Sequence, residues 1–268
     1  MPESPSRTRA LDGVRVLVTR PRDQAEDLAQ RIQQEGGEAV RFPVIEITEP
    51  RDTQALHSII DRLDEFALAI FISPNAVKRA LDLIIARRGK FPSHLSSASV
   101  GRGSAKALDR FGIKNALAPA NRFDSESLLA LPALQQVTGK RIVIFRGEGG
   151  RELLGDTLTQ RGAKVEYAEC YRRTRPLADT APLLERVARG SIDIVSITSL
   201  DGLHNLLDMV GEAGRPWLLR TPAVVISERL AAACRELGFE NASILAREAS
   251  DEAIVTAIRT WRAAQKTL

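Results

Sequence analysis

The sequence predicts an α/β protein with parallel sheets, arranged as two similar domains. Three observations predict it. Apolar strand-like runs alternate with amphipathic helical stretches along the chain. The same layout runs twice, at an offset of about 126 residues. In each copy the second extended run is unusually long for one strand of a small sheet, at residues 38–48 and 164–174.

The elements of the first copy follow in order. VRVLVT at 14–19 is an apolar run ended by Arg20-Pro21, which suits a buried parallel strand. Residues 23–35 place Ala25, Leu28, Ala29 and Ile32 at helical spacing, with Asp23 as N-cap and Gly36-Gly37 as the stop. The long segment EAVRFPVIEIT spans 38–48, with Pro43 in its middle. Then come helix 53–63, strand 66–73, helix 75–87, strand 97–101, helix 103–111, strand 114–118 and helix 124–136. The second copy repeats this order from Lys140 to about Arg262. Five strands per copy predict a flavodoxin-like layout.

The duplication rests on aligned residues. GVRVLVTR from Gly13 falls on GKRIVIFR from Gly139. Arg20 meets Arg146, Gly36 meets Gly162, Ser73 meets Ser199, and Asn115-Ala116 meets Asn241-Ala242. Roughly twenty identities accumulate over about 120 positions, against about eight expected from ordinary composition. The long second segments read as half strand and half linker, so the chain crosses between domains twice. One domain then joins residues 1–41 to 175–268, and the other is the continuous stretch 46–168. Segments 42–45 and 169–174 pair as an antiparallel ribbon hinge. Two plain sequence halves are the alternative division.

Composition narrows the function. The 268 residues are 44% hydrophobic and 27% charged, as in a soluble globular protein. No apolar run is long enough for a membrane span. The polar N-terminus lacks the apolar core of a signal peptide, and residues 1–11 read as a floppy leader. Cys170 and Cys234 match no metal spacing and no disulfide framework. Two structural thiols point to a reducing compartment, the cytoplasm. The net charge of +4 suits a small polyanion or an ordinary solvated surface. Nucleic acid is not expected, because aromatics are few and no dense basic stripe exists.

Ligands of open parallel sheets bind beyond the carboxyl ends of the strands, where helix N-termini present free N–H groups. Those turns carry Thr19 and Arg20, Ser73 and Asn75, Gly101, Arg102 and Ser104, Arg146 and Gly147, Ser199, and Ser227. Hydroxyls, glycines and arginines there make a cradle for carboxylates or phosphates. The hydroxyl and amide residues also suit plain helix capping. GRGSA at 101–105 falls short of a dinucleotide fingerprint, and RGEGG at 146–150 lacks the lysine of a P-loop. His57, His94 and His204 share no motif, and no Ser/His/Asp set stands out. The expectation is cofactor-free, metal-free catalysis or simple binding.

These turns resemble the uroporphyrinogen-III synthase family. VLVTRP (16–21), FISPNAV (71–77), SVGRGSAKAL (99–108), FDSESLL (123–129), the block from Phe145 to Arg173, ITSLDGL (197–203) and EASDEAI (248–254) stand in that family's order. The resemblance runs from Leu11 to about Ile258. It implies two α/β domains joined by a two-stranded ribbon, the first built from both chain ends. It implies an enzyme that cyclises a linear tetrapyrrole octacarboxylate, hydroxymethylbilane, to uroporphyrinogen III without metal or cofactor; separately, a monomer is expected. Tyr171 matches the family's cleft tyrosine and is the expected general acid. Ser104 and Ser199 match hydroxyl positions that face the same cleft. The chain departs from the family at Ser227-Glu228-Arg229-Leu230-Ala231, where G-P-x-T-A is usual. That departure leaves a second reading, a non-catalytic polyanion-binding module of the same fold. A periplasmic-type binding protein is a third, with the missing export signal against it.

Overall fold

The structure, a computed structural model, describes residues 9–120 and 122–265. Its strands are β1 (Arg15–Val18), β2 (Glu38–Arg41), β3 (Glu46–Thr48), β4 (Leu68–Phe71), β5 (Ser96–Ser99), β6 (Arg141–Gly147), β7 (Lys164–Thr174), β8 (Ile194–Ile197), β9 (Ala223–Val225) and β10 (Ile244–Leu245). The first helices are α1 (Arg22–Gln34), α2 (Thr53–Asp61), α3 (Pro74–Arg88), α4 (Arg102–Arg110), α5 (Ser125–Leu129) and α6 (Pro132–Gln135). Then follow α7 (Leu153–Gln160), α8 (Ala181–Ala188), α9 (Leu200–Arg220), α10 (Glu228–Glu236) and α11 (Asp251–Gln265). The chain forms two compact units, Met1–Glu46 with Thr174–Leu268, and Ile47–Arg173.

The first unit holds a sheet in the order β10-β9-β8-β1-β2, all parallel. Val16 and Val18 of β1 pack with Leu28 and Ile32 of α1 and with Ile254 and Ile258 of α11. Leu17, pointing the other way, is also fully buried. Both faces are covered, as a parallel sheet requires. Helix α9 breaks at Gly211, whose φ of 59° and ψ of −168° suit glycine.

The second unit holds the order β3-β7-β6-β4-β5. Phe71 and Phe145 stack at 4.9 Å on one face, while Ile70, Ile142 and Ile144 form a second core on the other. The registers of the two sheets correspond. Arg15 pairs with Glu38 and Arg141 with Lys164. Val16 pairs with Ile194, and Ile142 with Leu68. Val195 pairs with Ala223, and Ala69 with Ser97. In each comparison the two pairs differ by 126 positions for both residues.

Several sequence expectations need correction. Residues 1–8 of the expected leader lie outside the described residues. Its last residue, Leu11, is fully buried and donates its N–H to the Glu35 carbonyl at 2.9 Å. Asp23 is not the cap of α1. The helix starts after Pro21, whose carbonyl accepts from the N–H groups of Gln24 and Ala25. The expected helix 124–136 is two short helices. Leu131, ahead of Pro132, is pushed to φ −63° and ψ 138°, which ends the first one. The expected strand 114–118 shrinks to a single bridge, Ala98 to Leu117, because Asn115 turns to a φ of 62°. The segment 38–48 does break around Pro43, but 164–174 is one continuous strand. It holds its pairing to β6 as far as Tyr171 by a bulge between Arg146 and Gly147.

Candidate functional site

The strand-end turns of the second unit carry the densest chemistry. Ser73 caps α3. Its backbone is extended, and its Oγ accepts from the Ala76 N–H at 3.1 Å. Pro74 follows at the first helical position, where a missing N–H costs nothing. Asn75 comes next and is half-buried. Gly101 caps α4 without a side chain, so its turn offers backbone N–H groups. Arg102 is exposed, with its guanidinium 4.6 Å over the Phe123 ring. Ser104, two residues on, is 2% exposed.

Tyr171 lies near the end of β7 and is 2% exposed. Its hydroxyl sits 3.0 Å from Ser73 Oγ. The ring lies over Gly147, where an added Cβ would stand 2.8 Å from two ring carbons. Glycine at 147 is therefore what lets the phenol approach the turn. The bulge between Arg146 and Gly147 sets Gly147 opposite Tyr171.

Arg146 is buried rather than presented to solvent, at 5% exposure. Its guanidinium lies 4.4 Å over the Tyr167 ring and 3.6 Å from Glu169. Burial pushes the Tyr167 phenol above its ordinary pKa, although the Arg146 charge works against the shift. Cys170 behaves as a core thiol. Desolvation raises its pKa to about 12, and its Sγ reaches the Arg146 carbonyl at 3.2 Å.

In the first unit the corresponding turns are more self-contained. Thr19 is buried and donates its hydroxyl to the Ser196 carbonyl at 2.6 Å. Arg20 forms an ion pair with Asp251 at the start of α11. Ser199 caps α9, accepting from the Gly202 N–H at 3.0 Å, and Ser227 caps α10, accepting from the Leu230 N–H at 3.3 Å. Glu228 is exposed in the first turn of α10, where the helix dipole favours an acid.

Thus the second unit brings Ser73, Gly147 and Tyr171 together. Of the three arginines expected to hold anions, Arg20 and Arg146 already have internal partners, and Arg102 reaches solvent. Sequence reasoning missed Phe123, Glu169 and the Asp251 partner of Arg20. The Arg20–Asp251 contact joins residues 231 apart, for which periodicity carries no signal.

A profile of the family described as uroporphyrinogen-III synthase HemD matches residues 26–256. The uroporphyrinogen-III synthase of Escherichia coli is 37% identical over 245 residues, covering 91% of this chain and 99% of that protein. That of Salmonella typhimurium is 36% identical with the same coverage. Among solved structures, a mutant uroporphyrinogen III synthase from Thermus thermophilus superposes with a TM-score of 0.61 at 18% identity, covering 95% of this chain and all of that one. The uroporphyrinogen-III synthetase of Helicobacter pylori gives 0.59 at 15%, covering 92% of this chain and 99% of that one. The two structures share the fold, and the two sequence relatives, matched along almost their whole length, show that the chain belongs to the uroporphyrinogen-III synthase family.

Proposed function

We propose that this chain is a uroporphyrinogen-III synthase, a hydro-lyase that closes hydroxymethylbilane to uroporphyrinogen III with loss of water and inversion of ring D. The observation that carries the reading is the match to the Escherichia coli enzyme over 99% of its length. The substrate and reaction are those implied by the family resemblance, and the chemistry at the strand ends suits them. A linear tetrapyrrole of this kind carries eight carboxylates, the kind of group that helix starts and exposed arginines accept. The first turn of α4, with exposed Arg102, is the best-provided of these.

The reaction starts when the ring-A hydroxyl leaves as water, giving an azafulvene cation. Free in solution, that cation closes on the unsubstituted end of ring D and gives the symmetric isomer. The enzyme's task is to hold the chain so that the substituted ring-D carbon attacks first, through a spiro intermediate. Binding geometry therefore does more than strong acid–base groups. One weak acid to protonate the departing hydroxyl is enough, and Tyr171 is the source of that proton.

The architecture is read in the same way. An ancient duplication produced the two sheets, and the displaced registers support it. The chain passes between units at β3 and β7, which we read as the two strands of a ribbon. The protein is read as a cytoplasmic monomer that needs no metal or organic cofactor.

Purified protein in the presence of a chelator is expected to consume hydroxymethylbilane faster than the spontaneous closure. A rate equal to the spontaneous one in chelator, restored by added metal, contradicts the metal-free reading. The exposed Glu228, in place of the family's usual turn, favours one alternative, a binding module without turnover. Ligand-induced thermal stabilisation, with substrate consumed no faster than by spontaneous closure, is the result that selects it.

A further inference from the structure

We propose that Ser73 is the group that hands the proton to the departing hydroxyl, and that Tyr171 recharges it from behind. The inference rests on the reaction proposed above and deepens it. Tyr171 is 2% exposed, and Ser73 beside it is the more exposed of the two hydroxyl residues. Ser73 is half-buried at the strand end, and its Oγ lies 3.0 Å from the Tyr171 hydroxyl.

The Ser73–Tyr171 bond is open to either donor, and the relay takes Tyr171 as the donor. Ser73 Oγ already accepts from the Ala76 N–H, which can only donate. If Tyr171 donates to the same oxygen, both serine lone pairs are used and the serine proton is turned outward. The packing supports this fixed arrangement. Gly147 admits the phenol ring edge-close to the backbone, and Pro74 with the capped first turn of α3 holds Ser73 in place. The step is then balanced. The Ser73 proton goes to the ring-A hydroxyl oxygen, the carbon–oxygen bond breaks, and water leaves. The Tyr171 proton moves to Ser73, leaving a phenolate opposite the new cation. The proton released when the macrocycle regains its last pyrrole returns along the same path.

The test is a double-mutant cycle on turnover in the full-length protein. Ser73→Ala and Tyr171→Phe should each lower kcat roughly tenfold to a hundredfold with little change in KM. The double variant should be no slower than either single one, because both break one chain. Ser73→Thr, which keeps the hydroxyl, should retain most of the turnover. Ser73→Gly removes the hydroxyl at a position where glycine is tolerated as a cap, so it separates lost chemistry from lost folding. Multiplicative losses in the double variant, or wild-type kcat in Ser73→Gly, overturn the relay. Absence of type III isomer with the unsubstituted protein defeats the proposed function itself, a result distinguishable from failure of the relay.

Discussion

At the scale of single residues, the site depends on what is missing as much as on what is present. Gly147 has no Cβ, and Tyr171 occupies the space. Gly147→Ala would press 2.8 Å against the ring, so the ring or strand must shift. We expect a loss of about 1–3 kcal/mol in stability, as for overpacking generally. Turnover should fall with it even at temperatures where the variant is folded. Chemical denaturation beside steady-state kinetics checks both. Arg102 contributes differently. Its guanidinium is exposed and held by Phe123. Arg102→Ala should raise KM several-fold and leave melting nearly unchanged, whereas Arg146→Ala should destabilise the fold because that side chain is buried against Tyr167 and Glu169. Equal effects of the two substitutions on KM and on melting would contradict this division.

At the scale of elements, caps and ion pairs decide where segments begin. Ser199→Ala leaves the first turn of α9 uncapped and should cost about 1 kcal/mol by denaturant titration. Arg15, at the start of β1, donates from its backbone N–H, Nε and Nη2 to Asp193, which precedes β8. Burial alone would raise the Asp193 pKa, but those bonds outweigh it and lower it. A carboxylate with a lowered folded pKa stabilises the fold above its unfolded value, and that contribution disappears as pH falls through the folded value. Melting temperature should therefore drop in acid, below the ordinary carboxylate range near about 4. Asp193→Asn should lower stability at neutral pH by about 1 kcal/mol, the pair being partly exposed, and flatten the acid limb. An unchanged acid limb in that variant counts against the pairing.

Elements also show what the sequence could and could not reveal. Strand ends and their caps were legible because apolar runs stop at Thr19-Arg20, Ser73-Pro74 and Ser199, and each serine there caps its helix. The break at Pro132 follows from a local rule, the exclusion of helical backbone ahead of proline, which the expected single helix 124–136 did not apply. The continuity of β7 was not legible, because its length depends on partners in β6 and β3 rather than on its own residues. Nor were the partners of Arg20 and Arg146, which decide whether an arginine can meet a ligand. The Tyr171 position was found through resemblance. Its burial and its bond to Ser73 came from packing.

At the scale of the whole molecule, the proposed account is one of conformational control by two related α/β units, assembled from a repeated sequence but exchanging strands between copies. A protein of this kind needs little intrinsic acid strength, since spontaneous chemistry already closes the ring. Its signature is which ring is made. The most direct measurement is the isomer composition after hydroxymethylbilane is incubated with the purified protein, oxidised and separated. The account predicts that type III predominates, with the type I share growing in Arg102→Ala as the substrate is held less firmly. Type I alone, the product of uncatalysed closure, would contradict it.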